Sequence, residues 1–198
     1  MNKKPLILAS KSPRRSAILS DLKIPFKVIT DNVKENHPHN FSPERIVTDN
    51  AMAKAKPVGA RIDDGYVIGA DTIVVFEKEV LIKPKDYNHA KQTLQKLSGN
   101  THKVYTGIAV YDSQTGKNDT AICSTEVTFE KIDDQYLDIY INAVHPYDKA
   151  GGYAIQGLGA LVVKSIKGCF FNVMGLPVVT LDNLLRQFGV SLFDYVGD

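Results

Sequence analysis

Apolar positions recur in two rhythms along this chain, and the rhythm changes often. "YVIGADTIVVF", residues 66–76, is an almost unbroken apolar run rich in Val and Ile, the pattern of an interior strand covered on both faces. "PLILAS" and "PFKVIT" read as shorter strands, and the segment between them, "SPRRSAILSDL", has helical spacing. There Ser12 suits an N-cap and Pro13 the first helical position, while Ile18, Leu19 and Leu22 form one stripe. Ser42 followed by Pro43 repeats the cap-then-proline signal and predicts a helix through "AMAKAK". "DYNHAKQTLQKLSGN" is the best-marked helix, with Ala90, Leu94 and Leu97 at i, i+4 and i+7 and Gly99 as its stop. "THKVYTGIAVYDS" and "DTAICSTEVTFE" flank "QTGKN" as a long antiparallel hairpin. "DDQYLDIYINA" and "LPVVTLDNLLRQFG" predict two further helices. Residues 31–41 have loop composition, a turn is expected near "EKEV" and "LIKP", and residues 149–175 read as loops alternating with short strands.

Helices alternating with strands, plus a hairpin in the second half, indicate α/β architecture with a mixed sheet. The 198 residues are 43% hydrophobic and contain no internal repeat, which suits a single domain, 1–198, of two merged lobes. With 24 basic against 22 acidic residues there is no global electrostatic case for a nucleic-acid or membrane-surface partner. No apolar run approaches the roughly 20 residues that span a bilayer, and "MNKKPLILAS" is too short for a signal peptide. Cys123 and Cys169 lie outside any metal-type spacing and read as reduced buried thiols. A soluble, cytoplasmic protein is expected.

Three stretches carry candidate chemistry. Asp71 sits inside the long apolar run, where a carboxylate costs several kcal/mol unless it is paired or hydrated. It can coordinate Mg2+, act as a general base towards water, or simply be satisfied by backbone donors or by a lysine such as Lys54, Lys56 or Lys83. Lys83 precedes Pro84 and is therefore biased to extended backbone. In "SKSPRRS" a proline-started helix leaves backbone N–H groups where an anion is welcome. Arg14 and Arg15 oppose the helix dipole there by about 0.3–1 kcal/mol each. They are either solvated or part of a phosphate cradle with Ser10 and Ser12. In "KAGGYAIQGLGALVV" the glycines allow close backbone approach to a ligand, and Gln156 could read a base edge. "GLGALV" does not complete a dinucleotide fingerprint, and neither a Walker A motif nor a G-x-S-x-G elbow occurs. The His37–His39 pair reads as exposed loop, and His102 as a surface or packing histidine.

"LASKSPRR", "GADTIVV", "LIKP", "TGIAVYD", "TEVTF", "DKAGGYAIQGLGALVV" and "NVMGLP" follow one another from residue 8 to residue 177. In that order they closely resemble the Maf family of nucleoside triphosphate pyrophosphatases, over almost the whole chain. The resemblance implies a mixed, elongated sheet flanked by helices, with two lobes and a deep cleft, related to the ITP pyrophosphatases. It also implies hydrolysis of a nucleoside triphosphate between its α and β phosphates, a divalent metal cation (Mg2+ or Mn2+), and commonly a homodimer. On this resemblance Asp71 falls on the catalytic aspartate, the proton acceptor. Ser10, Arg14 and Arg15 fall on the phosphate-binding motif, and Lys54, Lys83 and Glu35 on further active-site positions. Asp71 and Glu35 are the expected metal ligands. Arg14, Thr72 and Gln156 resemble the specificity positions of the branch that cleaves dTTP and UTP. His145 stands before Pro146 where the family often has Glu, a departure that bears on substrate preference. A nucleotide-sensing role in septum formation without relevant turnover is the alternative the family suggests. A nucleic-acid binder is disfavoured by the balanced charge.

Overall fold

Seven strands form one mixed sheet in the computed structural model, which describes residues 3–38 and 40–197; His39 lies outside the described residues. β1 (Leu6–Leu8) is parallel to both of its neighbours, β2 (Phe26–Val28) and β3 (Tyr66–Phe76). The order continues through β5 (Thr101–Asp112) and β6 (Asn118–Phe129) to β7 (Val163–Lys167), which is antiparallel to β6. β4 (Glu79–Leu81) pairs antiparallel with the end of β3. The parallel β1–β3 region is connected by α1 (Pro13–Asp21) and α2 (Pro43–Gly59), as an α/β crossover requires. α3 (Tyr87–Leu97), α4 (Asp134–Val144), α5 (Phe170–Met174) and α6 (Val178–Arg186) complete the set. The α/β reading with a mixed sheet therefore holds. No helix among the described residues is long and apolar enough to cross a membrane.

The chain divides into two compact units, one from the described parts of residues 1–71, 106–123 and 175–198, the other from residues 72–105 and 124–174. In the first, Ile7 and Ala9 of β1, Val67 of β3 and Ala109 of β5 pack with Ala51, Ala55 and Val58 of α2. The small side chains reflect a close helix-to-sheet approach. A Cβ at Gly69 would lie 2.1 Å from the Ala51 carbonyl oxygen, and one at Gly107 would lie 2.5 Å from that of Val47. The glycines of "GADTIVV" and "TGIAVYD" are thus the seats on which α2 rests. The second unit buries Ala90, Leu94 and Leu97 of α3 with Leu137, Tyr140 and Ile141 of α4, together with Val104, Val127 and Phe129 of the strands. That α3 stripe is the one the i, i+4, i+7 spacing predicts.

Several local readings change. Ser42 caps α2 by accepting from the Arg45 N–H, and Asp86 caps α3 in the same way through His89. Ser12 occupies the N-cap position of α1 but makes no side-chain cap. α1 ends at Asp21, so Leu22 leaves the stripe and is 37% exposed. The turn expected across "EKEV" is confined to Glu77 and Lys78, both with positive φ (48° and 71°), and β4 begins directly after them. Within 149–175 the only strand is β7, and "FFNVM" forms α5 instead of a β run. Cys123 and Cys169 are half-buried and in no disulfide.

Candidate active site

Asp71 is 3% exposed on β3, and both of its carboxylate oxygens are bonded. Oδ1 accepts from Lys54 Nζ at 2.6 Å, and Oδ2 accepts from Asn50 Nδ2 at 2.9 Å. Asn50 and Lys54 lie one turn apart on α2, so helical geometry places both on the face presented to β3. Lys54 Nζ also donates to Glu35 Oε1 at 2.8 Å and to the Ala70 carbonyl at 3.2 Å. One ammonium therefore bridges two carboxylates. Of the lysines that could pair with Asp71, the partner is Lys54; Lys56 is exposed on α2. Asn50, 4% exposed, was not foreseen. Its only trace in the sequence is its position four residues before Lys54 on an alanine-rich helix face, and that does not distinguish it from a surface asparagine.

The "SKSPRR" stretch splits into different environments. Arg15 is 8% exposed; its Nε donates to the Gly175 carbonyl at 2.7 Å, and its Nη1 donates to Ser10 Oγ and to the Ala70 carbonyl, each at 2.9 Å. Burial lowers the Arg15 pKa, and the negative charges of Asp71 and Glu35 partly offset that effect. Ser10 Oγ also accepts from the Ser12 N–H at 3.3 Å. These Arg15 contacts tie α1 to the middle of β3 and to Gly175, because a fully buried guanidinium must satisfy its donors internally. Arg14 is half-buried in the first turn of α1, where no acidic residue and no side-chain cap offset the N-terminal dipole.

Ser10, Arg15, Glu35, Lys54 and Asp71 are thus linked in the first unit, with Asn50 added to them. Thr72, Lys83 and Gln156 belong to the second unit. Thr72 is half-buried on β3, Lys83 is exposed just after β4 and precedes buried Pro84, and Gln156 is exposed ahead of a short 3-10 turn at Gly157–Leu161. The segment leading to Gln156 is anchored twice. Tyr153 Oη shares a 2.7 Å hydrogen bond with His102 Nε2, and the Ala154 N–H donates to Tyr140 Oη at 3.3 Å. His102 is buried, which decides for the packing histidine. His145 is exposed and closes α4 in a left-handed conformation, φ 45°.

Comparison with known proteins agrees with the motif order. A family model described as Maf-like protein matches residues 5–188. A dTTP/UTP pyrophosphatase of Desulforamulus reducens is 43% identical over 189 residues, covering 96% of this chain and 99% of its own. Proteins of the same name from Thermoanaerobacter sp. (strain X514) and Bacillus cytotoxicus are 46% and 44% identical, over 94% and 93% of this chain and 98% and 96% of their own lengths. On a family match of this extent and relatives of this similarity, the chain belongs to the Maf-like protein family.

Proposed function

We propose that this protein is a nucleoside triphosphate pyrophosphatase that hydrolyses dTTP and UTP to the nucleoside monophosphate and pyrophosphate. The observation that carries the proposal is the buried Asp71 carboxylate, held by Lys54 and Asn50 in the same unit as the uncapped N-terminus of α1. In this reading Asp71 is the general base. A water oxygen adds to phosphorus on one side of the α–β bridge, the bridging P–O bond breaks, and Asp71 takes the water proton. Lys54 and Asn50 fix the carboxylate before the substrate arrives, so that no reorganisation accompanies proton transfer. Arg14 and the first N–H groups of α1 hold phosphate oxygens, while Ser10 and Arg15 shape the loop that presents them. Lys83 adds positive charge for the triphosphate, and Thr72 and Gln156 discriminate the pyrimidine, each offering both donor and acceptor.

Among the described residues no three His, Cys, Asp or Glu side chains gather as a metal site. Mg2+ does not need such a cage, because it commonly uses one or two carboxylates and completes its shell with phosphate oxygens and water. Asp71 and Glu35 supply hard oxygens, and each Asp71 oxygen keeps acceptor capacity beyond its bond to Lys54 or Asn50. These two residues fit a divalent ion and would hold it. Bound there, Mg2+ or Mn2+ would neutralise phosphate charge and acidify a coordinated water. The same reading takes the enzyme as cytoplasmic and homodimeric.

The test is release of pyrophosphate, converted to phosphate by added pyrophosphatase, across dTTP, UTP, CTP and purine triphosphates with and without Mg2+. Turnover of dTTP and UTP is expected, and EDTA is expected to stop it. Asp71→Asn should lower kcat by about 100-fold or more while the circular dichroism of the protein is retained. Near-normal turnover by that variant would overturn the role of Asp71. Absence of product from every nucleotide would favour the sensing role.

A further inference from the structure

The Asn50 side chain uses its amide at three points. Its Oδ1 accepts from the Asn36 N–H at 2.9 Å, and its Nδ2 donates to the Asn36 carbonyl at 3.0 Å and to Asp71 Oδ2 at 2.9 Å. Both Nδ2 protons are engaged and one oxygen acceptor is filled. The orientation of the amide is fixed by chemistry, since a flipped amide would set its oxygen against the Asp71 carboxylate and against the Asn36 carbonyl. By pairing with both backbone groups of residue 36, the side chain imitates a strand neighbour for a segment that has no regular secondary structure.

The contact has a consequence one residue away. Glu35, joined to the pinned Asn36, meets Lys54, and Lys54 meets Asp71, which returns to Asn50. The five residues close a ring of hydrogen bonds in which α2 supplies the two fixed members. A simpler structural role would need only the pairing with residue 36. The third bond, to the oxygen of Asp71 that Lys54 does not hold, goes beyond that and sets the rotation of the carboxylate.

We infer that Asn50 is a positioning residue of the hydrolytic site: it orients the Asp71 carboxylate and at the same time anchors the segment that delivers Glu35. The inference rests on the assignment of Asp71 as general base. It accounts for a buried polar amide in the middle of a helix, where an asparagine is otherwise unfavourable.

Asn50→Leu, of similar volume, and Asn50→Ser, smaller and polar, test it. Steady-state kinetics on dTTP and UTP should show kcat falling about 10- to 100-fold in either variant, with KM unchanged. Binding of α,β-methylene-UTP should match the wild type. Trypsin cleavage after exposed Lys34 should accelerate in both variants, because the neighbouring backbone is no longer pinned. Two variants guard against one failing to fold, and melting curves identify the folded one. A folded variant with wild-type kcat overturns the inference, as does one in which KM and analogue binding weaken while kcat is kept. Unchanged cleavage after Lys34 also overturns it. If the wild-type protein hydrolyses no nucleotide, the functional reading fails, and the trypsin comparison alone decides whether Asn50 anchors the segment.

Discussion

Asp71, Glu35, Lys54 and Arg15 carry two negative and two positive charges, and this balance explains how a carboxylate persists inside a strand. An isolated buried ion is expensive, whereas paired ions with hydrogen bonds to their remaining atoms are tolerated. Arg15 belongs to the balanced set by its buried bonds and by the field of Asp71 and Glu35. Arg14 is not one of these four and lies half-buried in the first turn of α1. His102 shows the opposite solution, a buried titratable ring kept neutral. Burial lowers its pKa from 6.5 to about 4. The unfolded chain therefore takes up a proton as pH falls through about 6.5, while the folded chain resists until near pH 4. His102 leaves stability unaffected above that window and erodes it on acidification, by on the order of 3 kcal/mol at the acid end. Urea unfolding at pH 7.5 and pH 5.0 should show a loss of about 2 kcal/mol attributable to this ring, and His102→Gln should abolish that part of the pH dependence. An equal loss in wild type and variant would remove the explanation.

At the scale of elements, α2 decides whether the site exists, because Asn50 and Lys54 reach Asp71 only if the helix lies close to β3. Gly69 sets that distance. In Gly69→Ala the new Cβ would meet the Ala51 carbonyl oxygen at 2.1 Å, so the helix must move. The expected cost is about 1–3 kcal/mol of stability, with a fall in kcat because the displacement falls on the turn between Asn50 and Lys54. Unfolding and turnover measured together check this, and unchanged values of both would show that the helix is not seated there. The elements themselves were largely legible: proline after serine marked the starts of α1 and α2, and spacing marked α3. Capping was less so. Ser42 caps and Ser12 does not, although both precede proline; at Ser12 the backbone N–H donates to Ser10 Oγ. "FFNVM" lies in the stretch read as loops alternating with short strands, yet it is helical, an instance of tertiary context overriding a weak local preference.

Across the whole molecule, what could be read depended on whether a residue's meaning is local. Asp71 stands out because a charge interrupts an apolar run, and the family resemblance then adds Ser10, Arg14 and Lys54 as expected site positions. Asn50 did not stand out, since its three bonds reach residues 14 and 21 positions away. Residues 190–197 were equally silent, lying beyond both the motifs and the family match, which ends at residue 188. They are nevertheless tied to the start of the chain. Tyr195 Oη donates to the Lys4 carbonyl at 2.8 Å, beside β1, and Leu192 and Tyr195 are buried. Ser191 Oγ and the Leu192 N–H both donate to Asp182 Oδ1 of α6 at 2.7 Å. Burial alone would raise the Asp182 pKa, but hydrogen bonds from Ser191 and the Leu192 N–H, with Arg186, hold it below the usual carboxylate range. Burying a large apolar side chain contributes about 1.5–3 kcal/mol. A chain ending at Phe188 should therefore lose roughly 3–5 kcal/mol, read as a lower urea midpoint. Its kcat well below the melting temperature should persist, because Ser10, Arg15, Lys54 and Asp71 make their bonds without this segment. An unchanged midpoint would mean that the tail merely rests on the surface, and a lost kcat in folded protein would mean that it reaches the site.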